Sequence, residues 1–173
     1  MNIISIQHKN VLDKILSENA YYADTEKLIT ERKSNLLKPY QYLINEYGYS
    51  HFPIFGCPIG RYCEFYGADC SKDSVLIQLS VPDREIKIQD YYNWTDLIFY
   101  MERPEEWDCD YPLEQFFQDT LRQTPSTHRA QQITIDHIEK AWITDTHPVT
   151  EKFTKLHNGS GGNNILHELS FYK

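Results

Sequence analysis

No stretch of this chain approaches the ~20 consecutive apolar residues a membrane-spanning helix needs, so no membrane role is expected. The opening segment, Met1 to His8, has no basic lead and too short an apolar run for a secretory signal. A cytoplasmic protein is therefore expected. Cysteine is sparse: four residues, at 57, 63, 70 and 109. Structural zinc sites favour pairs two to four residues apart, and the first three cysteines miss that spacing even with His51 nearby. No metal site is expected, and free thiols are the reading a reducing compartment favours. The familiar signatures of P-loop hydrolysis, dinucleotide-dependent redox chemistry, zinc proteolysis and serine esterase chemistry are missing. The seven histidines are scattered, none with a second four residues on. Basic charge is also short, 17 Lys plus Arg against 25 Asp plus Glu, which opposes an extended nucleic-acid surface. It leaves room for a small basic pocket.

What is present is a chain of 173 residues with 24% charged residues, 14% aromatics and 13 tyrosines. That length suits one domain with a core that needs no disulfide staples. Ile3 to Gln7 alternates as a short strand, with Ile4 and Ile6 opposite Ser5 and Gln7. Val11, Leu12, Ile15 and Leu16 recur at helical spacing over residues 11–19. A second helix is expected from Leu36 to Tyr47, closed by Gly48 at a left-handed C-cap. The segment from Phe52 to Ser74, rich in Pro, Gly and aromatics, is expected to be irregular. Val75 to Val81 reads as the clearest strand, and Glu85 to Ile88 as its hairpin partner across the turn at Pro82-Asp83-Arg84. Asp90 is placed to cap a helix carrying Trp94, Leu97, Ile98 and Met101.

Further on, Glu102 to Asp119 holds seven carboxylates against one Arg, and its second half, from Leu113 to Gln123, is expected to be helical. Ile133 and Ile135 mark a late strand whose other face carries Gln132, Thr134 and Asp136. The order of elements predicts an α+β domain over residues 1–157, with a mixed or antiparallel sheet and flanking helices. Residues 158–164 are expected to form a flexible hinge before a short apolar peptide at 165–173. Arg61 and Arg129, in Gly- and Ser/Thr-rich settings, are the guanidinium candidates for gripping a phosphate.

Several segments, in order, resemble an uncharacterised bacterial domain-of-unknown-function family whose members open with W-T-I-Q. Here the opening is Ile4-Ser5-Ile6-Gln7, and the family's Y-x-W/Y element resembles Tyr40-Gln41-Tyr42. Its Y-P-I-W segment looks like Phe52-Pro53-Ile54-Phe55, and its strand-turn-strand-helix element is similar to residues 80–94, SVPDREIKIQDYYNW. Its closing I-Q-A-T strand resembles Gln131-Gln132-Ile133-Thr134. The arrangement also looks like the ADP-ribosyltransferase fold. That resemblance implies NAD as cofactor, Gln7 as a ribose contact, and Tyr21, Tyr22 or Tyr40 as the ring that stacks on nicotinamide. Gln132, with Thr134 beside it, then stands where such enzymes carry their catalytic Glu. Gln132 brings no charge, whereas an oxocarbenium-like transition state asks for one. The function so implied is that of a small bacterial or phage effector with an NAD- or nucleotide-binding site, acting on a macromolecule. The alternative is a non-catalytic acidic protein that binds and inhibits a protein partner through the region from Glu102 to Asp119.

Overall fold

The computed structural model describes residues 1–23, 33–59, 73–102, 112, 115–116, 118–119 and 130–149. Arg61 and Arg129, most of the acidic run from Glu102 to Asp119, the hinge and the C-terminal peptide lie outside them.

The fold is α+β, as expected from the sequence. Strand β1 (Asn2–His8) leads directly into helix α1 (Lys9–Glu18), and the His8 side chain accepts a hydrogen bond from the Asn10 amide at that junction. Asn19, at φ 67°, takes the left-handed conformation that ends α1 and turns the chain into β2 (Ala20–Tyr22). Helix α2 (Lys33–Tyr47) contains Pro39 and ends at Gly48, whose φ of 69° fits the anticipated C-cap. Then come β3 (Ile54–Pro58), β4 (Ser74–Ser80), β5 (Lys87–Asp90) and α3 (Tyr91–Glu102). Asp90 caps α3, its Oδ1 accepting from the amides of Tyr92 at 3.0 Å and Asn93 at 3.1 Å. The described part closes with β6 (Gln131–Ile135), β7 (His137–Glu139) and β8 (Ile143–Pro148).

Six strands form one antiparallel sheet in the order β5-β6-β3-β1-β4-β8, and β2 pairs with β7 in a separate two-stranded ribbon. Three expectations are corrected. Residues 54–58 are a strand within the sheet, not irregular chain. Its Gly56 runs so close to β1 that an added Cβ would lie 2.8 Å from the Ile4 carbonyl oxygen. Second, β5 is not a hairpin partner of β4: it crosses to the far edge and pairs with β6, Ile88 opposite Ile133. Third, Cys57, buried on β3, is disulfide-bonded and not a free thiol.

Strand register assigns the two faces. Ile3, Ser5 and Gln7 of β1 share a face with Ile54 and Gly56 of β3, and with Ile133 and Ile135 of β6. Val75, Ile77 and Leu79 of β4 continue it, and Ile15 of α1 with Tyr21, Ile138 and Trp142 covers it, forming the larger apolar core. Each such fully buried aliphatic side chain stabilises by roughly 1.5–3 kcal/mol. The opposite face carries Phe55, Gln132 and Thr134 and lies under α2 and α3, where Leu43, Trp94 and Leu97 pack with Tyr40 and Phe55. Among the described residues, no helix is long and apolar enough to cross a membrane.

Candidate functional site

The residues expected to form one NAD site divide between the two faces. Gln7 stands on the β1 face turned to the larger core, where its Nε2 donates to Ser5 Oγ at 2.8 Å and that hydroxyl donates to the Phe55 carbonyl at 2.7 Å. Tyr21, 3% exposed, is part of that same core. Gln132 and Thr134 alternate onto the opposite face, so Gln7 does not meet them. Tyr22 lies on the outside of the ribbon, its ring 4.5 Å from that of His51 and 5.4 Å from that of His137. Tyr40 joins the Gln132 and Thr134 face, its ring 5.2 Å from Phe55 and 6.0 Å from Trp94. Phe55 is the register partner of Thr134, so this aromatic group adjoins the polar residues directly.

The polar residues themselves are unusual for a sheet interior. Gln89 of β5 sits directly opposite Gln132 of β6, and the two are 2% and 8% exposed. Facing residues of an antiparallel pair have Cβ atoms about 5 Å apart on the same side of the sheet. Gln89 Nε2 donates to Thr134 Oγ1 at 3.3 Å. Thr134 Oγ1 lies 3.0 Å from the Tyr49 hydroxyl, which donates to the Thr134 carbonyl at 3.0 Å. Gln89 also hydrogen-bonds the Tyr47 hydroxyl. These contacts engage the Gln89 Nε2 and the Tyr49 hydroxyl within the group. The carbonyl oxygens left over, Oε1 of Gln89 and Oε1 of Gln132, are buried without a hydrogen-bond partner among the described residues.

Burial decides the ionisation of the two phenols. It pushes Tyr47 up to about 12, with the Gln89 hydrogen bond offsetting part of the effect. It raises Tyr49 as well, against a smaller lowering by Thr134. Both hydroxyls are therefore neutral around pH 7, and the face carries no phenolate. Just past β6, the Asp136 Oδ1 accepts from the amides of Ser50 at 2.9 Å and His51 at 2.8 Å, and its Oδ2 lies 3.5 Å from His51 Nδ1. Its carboxylate is committed to the 50–51 backbone, and it also helps to keep the nearby Tyr49 phenol neutral. Among the described residues no cluster of three or more His, Cys, Asp or Glu is arranged to hold a metal ion.

No family model matches the chain, and no curated protein or solved structure matches it.

Sequence reading singled out Gln132, Thr134 and Tyr40 of this group and missed Gln89, Tyr47, Tyr49 and Lys87. Gln89 carried a usable signal. Period-2 alternation in Lys87-Ile88-Gln89 puts Ile88 on one face and both polar residues on the other. The mistaken pairing of β5 with β4 hid which strand that face would meet.

Proposed function

We propose that this chain binds NAD or a related nucleotide on the sheet face bearing Gln89, Gln132 and Thr134, through a planar ring that carries an –NH2 group. The observation behind this reading is the pair of directly opposed, buried glutamines whose two carbonyl oxygens have no donor among the described residues. A buried acceptor left unmet costs about 1–3 kcal/mol, and native interiors rarely leave two side by side. A carboxamide or exocyclic amine supplies two N–H groups on one nitrogen, which suits two acceptors facing each other. The ring that bears it would pack beside Phe55, Trp94 and Tyr40. In this arrangement Gln89 and Gln132 orient the amide, Thr134 and Tyr49 fix Gln89, and Gln7 and Tyr21 take no part. With Gln132 uncharged and Asp136 committed to the 50–51 backbone, the reading is one of binding, and no transfer step is assigned.

The test is a thermal-shift titration with NAD, ADP-ribose and nicotinamide at millimolar concentration. A ligand that binds the native state raises stability by RT ln(1 + [L]/Kd), about 2.7 kcal/mol at a hundredfold excess over Kd. A rise with NAD that Gln132→Ala or Gln89→Ala abolishes is expected. No rise with any of the three ligands would overturn the reading.

A further inference from the structure

The same sheet face carries a cation that the nucleotide reading has not used. Lys87 precedes Gln89 by two residues on β5, so both side chains leave the strand on one side, about 7 Å apart along it. Its register partner is Thr134, the residue to which Gln89 donates. Lys87 Nζ lies over the ring of Tyr47, 5.9 Å from its centroid, within the range of a cation–π contact. Tyr47 is the tyrosine whose hydroxyl meets Gln89, so one ring ties the ammonium to the glutamine pair. In a chain with a net charge of −8, Lys87 nevertheless has no carboxylate partner among the described residues.

We infer that Lys87 is the anion-binding residue of this site, and that the ligand is phosphorylated, its phosphate on the Lys87 side of the group that meets Gln89 and Gln132. This rests on the nucleotide reading above and adds the ligand's charge and polarity along β5. An ammonium steadied by an aromatic ring, with no acidic partner among the described residues to displace, meets a phosphate at little cost in reorganisation. The Tyr47 hydroxyl itself is neutral, and the carboxylate acting on that ring, Glu46, makes no ion pair with Lys87.

The experiment compares nicotinamide riboside with nicotinamide mononucleotide, which differ by one phosphate, by calorimetric titration of the wild-type chain, Lys87→Met and Lys87→Arg. Methionine keeps the unbranched stem over Tyr47 and removes the charge. The expected result is at least tenfold tighter binding of the mononucleotide by the wild type, with that preference lost in Lys87→Met and kept in Lys87→Arg. Riboside affinity should not fall in either variant, which also shows that the variants are folded. Added salt should narrow the preference for the mononucleotide over the riboside, since both carry the same pyridinium cation and differ only in the phosphate. Equal binding of the two ligands by the wild type, or a phosphate preference that survives Lys87→Met, would overturn the role of Lys87 and leave the nucleotide reading standing. Failure of both ligands to bind the wild type would overturn both.

Discussion

Replacing Gln132 with methionine should make the ligand-free protein more stable, an unusual expectation for a buried polar residue. Gln132 is 8% exposed, and its Oε1 lacks a partner among the described residues. The unbranched methionine side chain is close to glutamine in volume, so the exchange opens little cavity and removes the unmet carbonyl. Relief of one such acceptor is worth about 1–3 kcal/mol. For a chain of this size each kcal/mol moves the melting temperature by about 2–4 °C, so a rise of roughly 2–12 °C is expected. Gln89→Met should not share it, because its Nε2 is engaged with Thr134 and Tyr47 and those bonds would be lost. Urea denaturation followed by circular dichroism gives the free energies, and calorimetry gives the melting temperatures. A loss of 1 kcal/mol or more in Gln132→Met would show that the carbonyl is well partnered in the native protein, and the case for a ligand there would fall with it. A rise accompanied by loss of NAD binding would mark a residue kept for function at the expense of stability.

Three further outcomes follow from the geometry. Gly56→Ala should destabilise by roughly 2 kcal/mol or more in urea melts, because its Cβ would meet the Ile4 backbone oxygen at 2.8 Å and force β1 and β3 apart. Asp90→Ala should cost about 1 kcal/mol by removing the cap of α3, and Asp90→Asn should restore most of it. Tyr47 favours its neutral form in the folded state, so its contribution is complete below pH 10 and is lost as pH rises from 10 to about 12. Stability measured across that window should fall less steeply in Tyr47→Phe than in the wild type, and identical slopes would contradict the burial of that hydroxyl.

Local signals carried much of the fold. The alternation in β1 and β4, the Gly48 stop and the Asp90 cap are short-range features, and each is found where its residues suggest. Pairing is a long-range property. The turn at Pro82-Asp83-Arg84 is compatible with a hairpin, yet β4 already has β1 and β8 as neighbours, and β5 completes the opposite edge beside β6. β3 was hidden because Gly56 and Pro58 read as breakers, whereas Gly56 is there to let two strands approach closely. The site was half legible for the same reason. Gln132 and Thr134 announce a polar face by alternation, but which residues oppose them depends on register. Gln7 falls on the wrong side of the sheet because β1, β3 and β6 keep one continuous pleat, in which odd positions of β1 align with odd positions of β6.

If Gln89 and Gln132 hold a ligand's –NH2 group, the side-chain amide resonances of those two glutamines respond to it. Two-dimensional ¹⁵N–¹H spectra would be recorded during titration with NAD, with the assignments taken from Gln89→Ala and Gln132→Ala. Saturable shifts of both amide pairs, with one common dissociation constant, are the expected result. Resonances of Gln89 and Gln132 that stay fixed at millimolar NAD would contradict it.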